Sequence, residues 1–359
     1  MNLRVPGPTP LPPQVRQALA GEMINHRGPE FRELLGSVTA GVRRVLQTAN
    51  DVVLLTASGT GGLEAAIVNL VNPGDRVLAV TVGAFGDRFA EIARAFGAEV
   101  TTVAAPWGRA ADPMALEDAL KRTPDARLVL VTHNETSTGV ANDLATLAEV
   151  VRAHRRGEYP LLLVDAISSA GAMPLFTDGW GCDVVISASH KAWMAPPGLA
   201  MLSLSDRAWA VADRATCPRF YFDLRRARHL AGRGETPWTP AVNALQGLAA
   251  ALTLMQAEGL DAVYARHRRV AHRMREGARA LGLELFADPA HASNTVTALH
   301  VPEGKDGEAL AAALRAQGVV VAGGMGPFKG RVLRVGHMGY VDTADIDGVL
   351  KALAAAVGR

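Results

Sequence analysis

The sequence predicts an α/β protein, with a large unit on a mostly parallel central sheet and a small α+β unit toward the C-terminus. Three observations carry this. From about Asp51 to Leu204, short aliphatic or β-branched runs alternate with longer amphipathic stretches, the pattern of βα units. Around Thr239 the pattern changes to a long apolar helix, then to mixed helix and strand signals. A chain of 359 residues with 49% hydrophobic content suffices for a large core and a smaller companion. The large unit is placed at 12–254, and the small one at 1–11 together with 255–359.

The expected strands are Val52–Thr56, Arg76–Thr81, Glu99–Val103, Arg127–Thr132, Leu161–Asp165, Asp183–Ser187 and Leu199–Leu204. Several are apolar throughout, as strands buried on both faces should be. Helices are expected between them at Gly62–Leu70, Phe85–Phe96, Pro113–Lys121 and Leu144–His154. Asn72-Pro73-Gly74-Asp75 is a strong turn signal, and Gly97 and Gly139 stand where elements should end. Thr239 is read as the cap of a helix with Pro240 in its first turn, running to about Met255 and bridging the two units. Beyond it come a basic helix at Leu260–Leu281, a strand at Thr295–Val301 and a helix at Gly307–Gln317. Strands at Val319–Val321 and Val332–Val335 and a final helix at Thr343–Val357 complete the unit, which the N-terminal segment is expected to join.

The 37 basic and 35 acidic residues nearly cancel and form no long run of one sign, so nucleic acid and membrane surfaces are not expected as partners. Cys182 and Cys217 are the only cysteines, too few for a disulfide framework or a zinc site; no metal is expected, and a reducing, cytoplasmic setting is. The opening residues lack the apolar core of a signal peptide, and no apolar stretch is long enough to span a bilayer.

In a doubly wound sheet, ligands gather beyond the carboxyl ends of the strands, so the residues just past each strand matter most. After the first comes Ser58-Gly59-Thr60-Gly61-Gly62, whose hydroxyls and helix-start N–H groups suit a phosphate; a glycine-rich turn without a ligand fits equally. Phe85, between small residues after the second strand, could stack on a flat ring or simply join the core. His133 to Gly139 form a polar cluster in which a hydroxyl could meet a ligand oxygen, or merely cap the loop. Asp165 ends an apolar strand, where a carboxylate could pair with a protonated ring nitrogen or cap a helix. The sixth strand runs into Ser189-His190-Lys191 and then Pro196-Pro197-Gly198, where a lysine shielded from water becomes nucleophilic; most lysines are solvated surface charges. Together the five supply a phosphate cradle, a ring clamp, a ring-nitrogen partner and an amine, the parts that pyridoxal 5'-phosphate requires.

The chain resembles the class V aminotransferases of pyridoxal-phosphate fold type I, in particular the alanine–glyoxylate, serine–glyoxylate and serine–pyruvate group. The resemblance runs from Pro6-Gly7-Pro8-Thr9-Pro10 through Asn25-His26-Arg27-Gly28-Pro29-Glu30-Phe31 to Val332-Leu333-Arg334-Val335-Gly336-His337. It implies that Ser58, Gly59 and Thr60 bind the phosphate, that Phe85 and Ile167 take the two ring faces, and that Thr136 reaches the ring oxygen. Asp165 would pair with the ring nitrogen, His190 would lie beside the phosphate, and Lys191 would carry the cofactor as a Schiff base. Arg334 matches the arginine that binds the substrate carboxylate, a structural salt bridge being the other possibility. Gly7, with Pro6, and Gly323 to Gly326 would lie near the substrate, and Thr239 would reach the neighbouring cofactor's phosphate across a homodimer interface. His26 and Arg27 could order the cleft entrance or form a plain surface pair. Phe85 and Thr60 stand where relatives often carry tryptophan and histidine; a smaller ring should stack less strongly.

The implied reaction moves an amino group from a small amino acid, alanine or serine, to glyoxylate or pyruvate. Other readings on the same fold are 2-aminoethylphosphonate or aspartate-type transamination and cysteine desulfuration, the last needing a reactive cysteine on a mobile loop. A non-catalytic cofactor-binding module is the reading from another class.

Overall fold

The computed structural model of the chain describes residues 1–358. Its centre is a seven-stranded sheet in the order Asp51–Thr56, Leu199–Leu204, Val184–Ala188, Leu161–Asp165, Leu128–Thr132, Arg76–Thr81, Glu99–Ala104. Six strands run one way; Leu199–Leu204 is reversed, antiparallel to both of its neighbours. The sheet is therefore mixed and largely parallel.

Side chains alternate across it with the strand period of two. Val129, Val131, Leu162 and Val164 face one core, while Leu128, Leu130, Leu161 and Leu163 face the other. Helices Pro29–Leu46, Pro113–Arg122, Leu144–Ala153 and Val242–Glu258 supply the first layer, and Gly59–Leu70, Ala84–Ala95, Asp206–Ala212 and Leu224–Ala231 the second. Such two-sided cover is why the inner strands read as unbroken apolar runs.

Most expected elements are present with ends shifted by one or two residues, and two departures bear on the site. Helix Gly59–Leu70 starts three residues before the expected Gly62, so the glycine-rich segment is its first turn. The bridging helix is Val242–Glu258, with Ala241 at its cap position and no side-chain cap, so Thr239 does not cap it. The Ala241 N–H donates instead to Thr56 Oγ1 at 3.0 Å, which ties this approach to the sheet edge before the helix can start. That helix runs on to Glu258 and the chain turns at Gly259, whose φ of 83° suits glycine. Helix Pro29–Leu46, absent from the sequence reading, buries Phe31, Leu35, Val38, Val42 and Val45 along one stripe.

Toward the C-terminus, strands Val296–His300, Val332–Gly336 and Ala322–Gly323 form an antiparallel sheet. Helices Leu260–Ala280, Gly307–Ala316 and Thr343–Val357 accompany a third core around Met274, Leu314, Val335 and Leu353. The N-terminal strand Asn2–Leu3 pairs in parallel with Val319–Val320, so the chain start is stitched to this sheet system. From there residues 4–9 run toward the end of the central sheet, with the Thr9 N–H donating to the His190 carbonyl. No helix among the described residues is long and apolar enough to cross a membrane.

Candidate active site

Five strand ends meet at one cavity of about 120 Å³. It is lined by Ser58, Gly59, Thr60, Phe85, Thr136, Asp165, Ile167, His190 and Lys191, all singled out in the sequence, and by Leu63, Arg88, Asn134 and Ser168, which were not. Ser58 caps helix Gly59–Leu70 through Oγ, accepting from the Gly61 N–H at 3.2 Å. The Gly59 and Thr60 N–H groups have no protein acceptor. A helix start with free N–H groups and a hydroxyl favours an anion. Gly59 is small for a reason: a Cβ there would stand 2.7 Å from Ile167 Cδ1.

Lys191 follows the Val184–Ala188 strand and is only 9% exposed. Burial brings its amine down to about 8, against the pull of Asp165 and with the help of Arg334. Nζ donates to the Pro6 carbonyl at 2.6 Å. Gly7 packs against this side chain so closely that a Cβ would fall within 2.7–2.9 Å of Lys191 Cδ, Nζ and Cε, and its φ of 132° also requires glycine. The backbone beneath is fixed, since Thr9 Oγ1 donates to the Lys191 carbonyl at 2.9 Å and Trp193 Nε1 to Ser187 Oγ at 2.7 Å.

Asp165, 4% exposed, is pushed up to about 7 by burial, which the Ile167 N–H donated to Oδ1 at 2.9 Å only partly offsets. Its other oxygen has no protein donor, so a cation brought to it would restore the ionised form. His190 is held near 4, first by burial and then by Lys191, and its Nδ1 is buried without a partner. The cavity thus holds an amine and a carboxyl that both titrate near neutrality, a pattern concentrated at functional sites.

Arg334 is not in a structural salt bridge. Its Nε donates to the Gly323 carbonyl at 2.7 Å and Nη1 to the Thr136 carbonyl at 3.2 Å, and it forms no ion pair among the described residues. Two of its five N–H donors are held by backbone, and the others have no protein acceptor among the described residues. Thr239 lies elsewhere, in a narrow cleft with Tyr221 and Trp238. Arg27 pairs with Glu235 at 3.0 Å and donates to the Thr236 carbonyl at 3.0 Å. Neither cysteine lines the cavity; both are buried, and burial pushes the Cys182 thiol up to about 12.

Two charged residues at the cavity were given no role of their own in the sequence reading. Arg88, one helical turn beyond Phe85, places its guanidinium carbon 5.0 Å from the centre of that ring and forms no ion pair among the described residues. Glu135, just behind the wall, is 0% exposed and accepts from Phe85 and Gly86 N–H groups. The i, i+3 spacing of Phe85 and Arg88 was a usable signal for the first.

The sequence model of the family "Aminotransferase class-V" matches residues 3–348. Among relatives, a protein of Synechococcus sp. named "soluble hydrogenase, small subunit" is 42% identical, the match covering 99% of this chain and 93% of that one. An L-aspartate–glyoxylate aminotransferase of Paracoccus denitrificans is 39% identical over 97% of this chain and 89% of its own. The crystal structure of an alanine–glyoxylate aminotransferase from Nostoc sp. superposes with a TM-score of 0.94 at 32% identity, covering 99% of this chain and 94% of that one.

Proposed function

This chain belongs to the class-V aminotransferases, pyridoxal-phosphate enzymes of fold type I, and we propose that it transfers the amino group of alanine or serine to glyoxylate or pyruvate. The observation that carries the reading is the pairing, in one cavity, of the Lys191 amine near 8 with the Asp165 carboxyl near 7. The residues present fit the cofactor. The unpartnered His190 Nδ1, the free Asp165 oxygen and the open N–H groups at Gly59 and Thr60 are polar groups that still lack partners.

In this proposal Ser58, Gly59 and Thr60 hold the phosphate with His190 beside it, Phe85 and Ile167 flank the ring, and Thr136 meets its oxygen substituent. Asp165 keeps the ring nitrogen protonated. When bound, the cofactor supplies an electron sink for the carbanion formed at the substrate's α-carbon. Lys191 Nζ would be the covalent anchor, and its free amine would take the substrate's α-proton and later return it. An amine near 8 is close to evenly divided between its two protonation states at that pH, as a group that both accepts and gives a proton should be. The free donors of Arg334 take the substrate carboxylate, and Gly7 leaves the room that Lys191 needs to move.

The same proposal takes 12–254 as the large unit, 1–11 with 255–359 as the small one, and a homodimer in which Thr239 reaches the neighbouring phosphate, in a cytoplasmic setting. An aspartate donor is the second reading. The Paracoccus relative and the unpaired Arg88 guanidinium in the cavity support it.

The test is to load purified protein with pyridoxal 5'-phosphate, add single amino acids, and follow conversion of the carbonyl form of the cofactor to the amine form. Mass spectrometry then maps the borohydride-stable adduct. Conversion by alanine or serine with an adduct on Lys191 is expected. Conversion by aspartate alone selects the second reading. An adduct elsewhere, or no response to any amino acid, sinks both.

A further inference from the structure

Helix Ala84–Ala95 begins after Gly83, a residue with no side chain to cap it. Its first N–H groups are nonetheless met, from a segment fifty residues later in the chain. The Ala84 N–H donates to Ser137 Oγ at 3.0 Å, and the Phe85 and Gly86 N–H groups to Glu135 Oε2 at 3.0 and 3.1 Å. The other carboxylate oxygen, Oε1, accepts from the Ser137 N–H at 3.0 Å and the Ser137 hydroxyl at 2.6 Å. Four donors thus converge on one fully buried carboxyl. Burial pushes it up, while the four donors and the helix N-terminus favour its ionised form.

Gly83 supplies a separate sign that this contact is built in. A Cβ there would overlap Ser137 Oγ and stand 2.6 Å from Glu135 Cγ, so the close approach depends on glycine. On its other side the same segment holds Arg334 and the loops that face it. The Thr136 carbonyl accepts from Arg334 Nη1, and Asn134 Nδ2 donates to Ser168 Oγ at 2.8 Å and Thr295 Oγ1 at 2.9 Å.

We propose that Glu135 is a positioning residue, a cap supplied in trans that fixes the Phe85 wall of the cavity against the Thr136 wall and so sets the width of the slot for a flat ring. A local cap would secure the helix alone; a carboxylate from the facing segment secures the helix relative to the opposite wall. This rests on the reading that the cavity holds the cofactor ring between Phe85 and Ile167.

The test uses full-length apoprotein carrying Glu135→Gln, Ser137→Ala or Gly83→Ala. Each is titrated with pyridoxal 5'-phosphate and with pyridoxamine 5'-phosphate, which needs no covalent link. Visible circular dichroism of the bound ligand reports ring orientation, and thermal melting of the apoprotein reports stability. E135Q should bind both ligands roughly tenfold more weakly, the scale of one lost charge-assisted hydrogen bond, with an altered dichroic band. S137A should shift both readouts the same way and by less, and G83A, whose Cβ forces the two walls apart, by at least as much. Should E135Q fail to fold, the milder S137A decides. Affinity within twofold of the original with an unchanged band, whatever the melting temperature, overturns the proposal and leaves Glu135 a stability residue only. Failure of the unmodified chain to bind either ligand would instead sink the cofactor reading itself.

Discussion

Lys191 is a poor ammonium because its surroundings withhold water, while Asp165 keeps it from losing its proton altogether. With burial as the main cause and the amine near 8, the rate at which apoprotein captures pyridoxal 5'-phosphate should rise with pH around a midpoint near 8, where an ordinary lysine would keep rising past 10. Replacing Asp165 by Asn removes the charge that raises the amine, so the midpoint should move lower; a midpoint that stays put or climbs contradicts the coupling. Stopped-flow absorbance over pH 6–10 measures it. Both residues were legible in the sequence because each stands at the end of an apolar strand, where the topology leaves few directions but into the cleft. Arg334 was legible as an arginine, but not as a free one: only the two backbone carbonyls that hold it show that no carboxylate does. Glu135 gave no comparable signal. Its meaning lies in a contact with residues about fifty positions earlier, and the motif around it reads equally well as loop capping.

Among elements, helix Gly59–Leu70 shows how packing overrides local preference. Three glycines in its first turn argue against helix, and the sequence reading started it only at Gly62. They are present because the helix lies tight on the sheet: a Cβ at Gly62 would stand 2.9 Å from Ile186 Cγ2, and one at Gly59 2.7 Å from Ile167 Cδ1. Ser58→Ala should therefore act twice. It removes the cap, lowering stability by about 1 kcal/mol, and it removes a hydroxyl from the anion cradle. Loss in chemical melts together with weaker binding of free phosphate is the expected pair of results; stability loss alone assigns Ser58 to the helix. The reversal of Leu199–Leu204 escaped the sequence reading, since an apolar run carries no direction. Its sign lay in the connection, because a parallel return from Ala188 to Leu199 needs a crossover of a dozen or more residues. The Lys191 segment is shorter and contains no helix, so it closes as a broad hairpin around the lysine.

Across the whole molecule, several imidazoles are buried in the neutral form. Burial brings His133, His190 and His267 down to about 4 and His337 to about 3. His267 does structural duty, with Nδ1 on the Val263 carbonyl at 2.7 Å and Nε2 accepting the Gly339 N–H at 3.0 Å. Because these folded values lie below the unfolded 6.5, unfolding takes up protons between pH 6.5 and 4, and stability falls as pH falls through that window. Asp165 and Glu135 are raised and work in the opposite sense, so they offset part of that uptake. The apoprotein melting temperature should drop between pH 6.5 and 4.5; a flat or rising profile would mean that water or rearrangement relieves the buried imidazoles. The stitching of the chain start to the far sheet also sets an order in time. At about 5–20 residues per second of synthesis, Asn2–Leu3 waits on the order of tens of seconds for Val319–Val320, long after the central strands through Leu204 have emerged. The carbonyl of Pro6, which holds the lysine amine, lies between Thr9, tied to the Lys191 segment, and Asn2–Leu3, whose anchor waits for that late partner. On the ribosome, then, this part of the cover over Lys191 is completed only after Val319–Val320 have emerged.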